Sequence, residues 1–220
     1  MTTAIWACWR PGRSVATSLG MDALKLLEKD HREVEALFKR FEKTTAPAER
    51  KKLVDQMIRA LSIHAVIEEQ FLYPAVRERG GRKADLALEA LEEHHVVKWL
   101  LNELDGRSPK DERFAAKVKV MMENVRHHVE EEEEELFALM RKAFSQQELD
   151  DLGTLLEEAK RFAPTHPHPR APDTPPGNMI AGALSAVLDR GRDLISGERR
   201  APRQLAARKA QAKAGTRKKK

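Results

Sequence analysis

The chain has 220 residues, of which 34% are charged and only 5% aromatic, proportions that suit helices better than a β-sandwich. No run approaches the ~18 apolar residues that cross a bilayer, and the single cysteine, Cys8, rules out a disulfide scaffold and a thiolate zinc site. The net charge of +5 averages two unlike parts: residues 160–220 hold 15 Lys/Arg against 4 Asp/Glu, and residues 1–159 hold 25 against 31. An acidic body carries a basic tail. A cytoplasmic protein is expected.

Residues 1–20 contain Trp6, Cys8 and Trp9, no acid and no helical periodicity. Arg10, Pro11 and Arg13 interrupt any secretory apolar stretch. An acid-free leader with Arg and Ser is compatible with an organelle transit segment, but a translation start at Met21 is the simpler reading. From Asp22 to Thr44, Leu24, Leu27, Val34, Leu37, Phe38 and Phe41 form a helical stripe. Thr45-Ala46-Pro47 breaks it, and Pro47 suits the first turn of a second helix. That helix is expected to run to about Arg79 and stop at Gly80-Gly81. A third is expected over about Arg82–Leu104. Ser108-Pro109 has the features of a fourth helix start, with the helix running to about Phe144. Ser145 and Glu148 form a capping box for a short fifth helix ending near Phe162. Six prolines between Pro164 and Pro176 then read as an extended linker. Asn178–Ile195 reads as a weak amphipathic helix, and 198–220 as a basic disordered tail.

The expected fold is all-α: an up-down-up-down four-helix bundle with a short fifth helix and a Pro-rich, basic C-terminal extension. The expected divisions are a leader (1–20), the bundle (21–162), a linker (163–177), and a weak helix with its tail (178–220).

In an antiparallel hairpin, two residues equally far from the turn lie at the same level. The midpoint of His31 and His64 falls at the Pro47 turn, that of His64 and His94 beside Gly80, and that of His94 and His128 just past Pro109. Each of four successive helices therefore brings one histidine to a common cross-section. His64 and His128 are each followed at i+4 by a carboxylate, Glu68 and Glu132, on the same helix face. Paired imidazoles and carboxylates inside a bundle point to a two-metal site, and that donor set suits iron or manganese.

The two halves also repeat. KDHREVEALF beside EEHHVVKWLL matches His31 to His94; IHAVIEEQFLYPAV beside HHVEEEEEELFALM matches His64 to His128, Glu68 to Glu132 and Tyr73 to Phe137. The alignment selects His94 over His95 and His128 over His127. With its order His, His-x3-Glu, His, His-x3-Glu over about Met21–Phe144, the chain resembles the bacterial hemerythrin-like proteins, the HHE cation-binding family. The resemblance implies a non-haem di-iron centre of two Fe ions, carboxylate- and oxo-bridged, with His31, His64, Glu68, His94, His128 and Glu132 as ligands. It implies O2, peroxide or NO as the small-molecule ligand, and catalase-like peroxide decomposition as the activity to test. Four imidazoles, two bridging carboxylates and a bridging oxygen leave about two of the ~12 positions of two six-coordinate ions open.

The chain departs from the family in two places. Oxygen-carrying hemerythrins place a further histidine where Lys98 stands, and their last carboxylate lies one residue later, which makes Glu133 the substitute for Glu132. Glu69 is the corresponding substitute for Glu68. Glu35, one turn after His31, reads as solvated, and His95 and His127 as surface or outer groups. Met57, Leu61 and Phe71 share the ligand stripe and are expected to line the pocket. Tyr73 falls nine residues after His64, which on a regular helix puts it on the opposite face as a packing residue, and Pro74 is expected to kink the helix. His166 and His168 sit between linker prolines, where a weak accessory metal site is an open alternative. The alternative function is an iron- or redox-responsive regulatory module whose tail, 198–220, docks on nucleic acid or an anionic partner.

Overall fold

Asp22 caps the first helix, its carboxylate accepting from the Lys25 backbone N–H at 3.0 Å. In the computed structural model, which describes residues 21–172 together with Gly177, Asn178, Ser185, Ala186, Leu188 and Asp189, the helices are α1 Ala23–Lys43, α2 Pro47–Ile67, α3 Tyr73–Arg79, α4 Leu86–Leu104, α5 Phe114–Glu131, α6 Phe137–Ala143 and α7 Gln146–Ala159. The described residues contain no β-strand. The leader and most of the C-terminal extension, the basic tail included, lie outside them.

Two rods are longer than their α segments. A five-residue π-helical turn, Glu68–Leu72, joins α2 to α3, and a second, Glu132–Leu136, joins α5 to α6. The expected second helix is thus continuous to Gly80, and Pro74 follows the π-turn instead of standing at a break. With α1 and α4, these rods make the four long elements of the bundle. α1 packs on α2, α4 on α5, and α7 along α1. Gly153 of α7 faces the Met21–Ala23 backbone so closely that a Cβ there would collide with it.

Two helix starts come later than expected. α4 is preceded by a 3-10 turn, Gly81–Lys83, entered through Gly81 at φ 56°. α5 begins at Phe114 because Ser108–Arg113 forms successive turns: Asp111 N–H bonds to the Ser108 carbonyl at 3.0 Å, and the Asp111 carboxylate accepts from Arg113 N–H at 2.9 Å. Local side-chain acceptors compete with the helix there. The capping box at Ser145 is formed, with Glu148 returning to the Ser145 N–H at 2.8 Å.

The core has two parts with the histidines between them. Phe38, Phe41, Met57, Leu101, Phe114 and Met121 belong to one. Leu24, Leu27, Leu72, Tyr73, Phe137 and Leu156 belong to the other, which α7 covers. Burial of these side chains, at ~1.5–3 kcal/mol each, carries the fold. The Pro-rich stretch is irregular, as its composition requires, and within the described residues it lies on the bundle: Ala163 and Thr165 are buried, and Asp189 accepts from the Thr165 and His166 N–H groups at 2.9 and 3.0 Å.

Candidate metal centre

All six side chains singled out from the sequence meet in the interior. His31, His64, Glu68, His94, His128 and Glu132 are each at most 6% exposed. α1 supplies His31, α2 His64, α4 His94 and α5 His128, with the two glutamates opening the π-turns. The imidazoles form two pairs through their inward nitrogens: Nε2 of His31 and His64 lie 3.0 Å apart, and Nε2 of His94 and His128 3.1 Å apart. Two nitrogens bound at right angles to one ion, each at ~2.1 Å, stand ~3.0 Å apart, so each pair already has the bite of a metal chelate.

Glu68 lies between the pairs, with Oε1 3.0 Å from His64 Nε2 and Oε2 3.5 Å from His94 Nε2. Glu132 Oε2 lies 3.4 Å from His31 Nε2. Two buried groupings with metal-ligand geometry result, His31/His64/Glu68/Glu132 and Glu68/His94/His128, sharing Glu68, and a third, Glu93/His127/Glu131, lies toward the surface. All four carboxylate oxygens of Glu68 and Glu132 are buried without a hydrogen-bond partner. Such oxygens are costly unless a cation faces them, and the donor set of the fold therefore fits a pair of metal ions.

The electrostatics agree. Burial, and then the neighbouring Glu132 charge, push the Glu68 carboxyl up. Burial acts the same way on Glu132, but His31, His128 and His64 overcome it and hold that group near 2. For His64, burial favours the neutral ring, yet Glu68 and Asp30 raise it to about 10. His94 is driven well below the usual histidine range by burial and the His128 charge. Without a second positive partner, the two buried carboxylates compete for the same imidazolium protons.

An outer ring of carboxylates orients the rings. Each Nδ1 faces one: His31 to Glu133 at 2.8 Å, His64 to Asp30 at 3.5 Å, His94 to Glu69 at 3.1 Å, His128 to Glu93 at 2.7 Å. For His31, His94 and His128 the contact is a hydrogen bond that fixes which nitrogen faces inward, whereas His64 Nδ1 faces Asp30 without one. Glu69 and Glu133 therefore stand outside the centre, and Glu68 and Glu132 inside it. Lys98, in the place of the missing histidine, is buried against Glu69 at 3.0 Å. Asp30 and Glu93 were not anticipated; both immediately precede a first-helix histidine and match across the repeat, a signal present in the sequence.

Tyr73 corrects an expectation. Its buried hydroxyl lies 3.0 Å from His94 Nε2 and 3.5 Å from His128 Nε2. The π-turn between Glu68 and Leu72 takes up one extra residue, so Tyr73 sits ~80° from His64 instead of ~180°. Of the residues expected to line the pocket, Leu61 does so, while Met57 lies in the packed core and Phe71 packs against the other core. Glu35 pairs with Arg126 at 3.0 Å, His95 accepts from the Trp99 indole at 3.1 Å, and His127 is exposed. His166 and His168 face Asp105 and Asp189, respectively, and form no metal-ligand grouping among the described residues.

Comparison with known proteins gives a consistent picture. An uncharacterised hemerythrin-like protein of Schizosaccharomyces pombe is 28% identical over 168 residues, 76% of this chain and 83% of that one. A protein of Nostoc named DNA nickase is 30% identical over 140 residues, 64% of this chain but 39% of its own length. The crystal structure of a hemerythrin HHE cation binding domain-containing protein from Mycobacterium kansasii shares the fold with a TM-score of 0.55 at 20% identity, covering 64% of this chain and 86% of that one. Residues 22–140 match the hemerythrin HHE cation binding domain as a family. The chain belongs to that family, and its His and Glu clusters make it a metal-binding helical domain.

Proposed function

We propose that the bundle holds two non-haem iron ions and binds or senses O2, NO or peroxide, with catalase-like decomposition of peroxide as its reaction in a cytoplasmic setting. The observation that carries this reading is the set of four unpartnered oxygens of Glu68 and Glu132 between two histidine pairs of chelating bite. His31 and His64 would hold one ion, His94 and His128 the other, with Glu68 and Glu132 as the bridging ligands. When bound, the ions supply a redox-active pair with open positions for a diatomic or peroxidic ligand. The protein supplies the rest. Glu133, Glu69 and Glu93 hold His31, His94 and His128 in the inward-facing tautomer, Asp30 faces His64, and Tyr73 holds a hydroxyl proton beside His94 and His128. The two apolar cores keep bulk water from the buried carboxylates. The decisive experiment is metal analysis with the optical spectrum on purified protein. Two irons per chain with the near-ultraviolet bands of an oxygen-bridged pair support the reading; a single metal or none overturns it.

A second reading is favoured by the relative named DNA nickase and by the basic excess of residues 160–220. In it the centre reports iron or redox state while the tail, 198–220, docks on nucleic acid. A salt-sensitive DNA complex that disappears when 198–220 are deleted supports it; absence of binding at low salt removes it.

A further inference from the structure

The two sides of the histidine layer are packed differently. On the carboxylate side, Tyr73, Leu72, Leu136 and Phe137 are at most 2% exposed and fill the space. On the other side is a cavity of about 370 Å³. His31, His64, His94 and His128 line its floor, and its walls are apolar: Val34 and Phe38 of α1, Leu61 of α2, Val97 and Leu101 of α4, and Val125 of α5. Its charged lining lies where α1 and α5 meet, and there Arg126 bonds to Glu35 and Glu42 while its guanidinium stands 5.5 Å over the Phe38 ring.

The volume decides what this space suits. O2 or hydrogen peroxide needs room comparable to the ~30 Å³ share of one water, and an apolar cavity of ~150 Å³ already takes benzene. Interiors are otherwise close-packed, and the space above the histidines is a recess that opens toward the surface. Away from the charged side chains of the α1–α5 edge, the polar groups that face a guest are those of the floor, and Lys98 is taken by Glu69.

We propose that this chamber binds an apolar organic molecule of roughly 10–15 non-hydrogen atoms ending in one hydroxyl-type oxygen, its hydrocarbon against Val97 and Leu101 and its oxygen toward the histidine layer. The proposal deepens the two-metal reading, on which it rests only for what lies beneath the floor. The ligand class is therefore larger and greasier than O2, NO or hydrogen peroxide.

The test is calorimetric titration of the full-length, iron-loaded protein with 2-phenyl-2-propanol, an unreactive probe of this shape. One saturable site with submillimolar affinity is expected. Val97→Phe puts a ring where the ligand's hydrocarbon would lie and should weaken binding at least tenfold, with helix content and iron unchanged. Should that variant not fold, Ala65→Leu, at another point of the lining, serves the same purpose. No saturable binding to the wild type, or equal binding by a folded variant with the obstructed chamber, overturns the proposal. A protein that binds the alcohol yet holds fewer than two irons upholds the chamber and removes the two-metal reading; two irons without alcohol binding does the reverse.

Discussion

The half formed by α1–α3 and the half formed by α4–α6 present the same parts at matching places. A histidine stands on the first helix, a second histidine with its glutamate opens a π-turn on the next, and the residue after that glutamate reaches the opposite half's first histidine: Glu69 to His94, Glu133 to His31. The halves differ in what surrounds these parts. Tyr73 brings a hydroxyl to His94 and His128, whereas its counterpart Phe137 stacks on His31, with ring centroids 6.0 Å apart and planes at 9°. Glu69 is buried with Lys98, whereas Glu133 is partly exposed with Arg32. Glu68 spans both histidine pairs, while Glu132 is close to His31. A repeated scaffold therefore carries an unequal centre, and the two histidine pairs should not behave alike.

The largest test of that inequality is Glu→Gln at Glu68 and Glu132, the two proposed bridging ligands. Glu68→Gln removes a charge shared by both pairs while keeping the volume, so iron should fall from two per chain toward one with the circular dichroism unchanged. Glu132→Gln should cost less metal, because its place is nearer one pair. Equal retention of two irons by both variants would make the bridging roles wrong. A comparable contrast separates the histidines. His94→Ala and His128→Ala should lose metal, while His95→Ala and His127→Ala keep it; equal losses would falsify the assignment.

The outer carboxylates come next. Glu69→Gln leaves the Lys98 ammonium buried without its charge partner, a change of ~3–5 kcal/mol, and unseats the His94 ring. Glu133→Gln releases a partly exposed contact. Both should weaken metal retention against a chelator, by about 10–100-fold for the stronger effect, and Glu69→Gln alone should lower the melting temperature appreciably. Tyr73→Phe should keep two irons and shift the optical spectrum, at ~1 kcal/mol of stability for a lost buried hydrogen bond. An unchanged spectrum would reduce the hydroxyl to packing.

The smallest effect concerns the C-terminal segment. In the first π-turn, Tyr73 N–H bonds to the Glu68 carbonyl, so the next donor due, to the Glu69 carbonyl, is residue 74, a proline with no N–H. Asn178 supplies it, its side-chain amide donating to the Glu69 carbonyl at 3.2 Å, while Gln70 returns a bond to the Asn178 carbonyl at 3.2 Å. The second π-turn has Ala138 at the same place and needs no such help. A chain of residues 21–162 should keep its bundle and its metals, and melt ~2–4 °C lower. Loss of helix content or iron would mean that the segment is part of the domain.

Most of the centre could be read from the sequence because helical spacing and hairpin symmetry are local rules. Equal distances from the turns at Pro47, Gly80 and Asp111 place four histidines at one height whatever the details of packing, and i,i+4 spacing places Glu68 and Glu132 beside two of them. The regular period failed at Tyr73, where the π-turn shifts the face by one residue, and at Ser108–Arg113, where side-chain acceptors hold turns in place of a helix turn. The outer ring was half legible: Asp30 and Glu93 repeat in the alignment, but a repeat alone does not say that a carboxylate reaches across to a neighbouring helix.

The sequence by itself determined an all-helical chain, its hairpin order, and the six inward side chains, because each follows from periodicity and turn position along the backbone. Only the tertiary structure decided which nitrogen of each histidine faces inward, that Glu69 and Glu133 stand outside Glu68 and Glu132, that the Tyr73 hydroxyl joins the His94 and His128 pair, and that one side of the histidine layer borders a cavity. These depend on how side chains from different helices share a volume. A close-packed interior settles that sharing jointly, and no single helix carries the information.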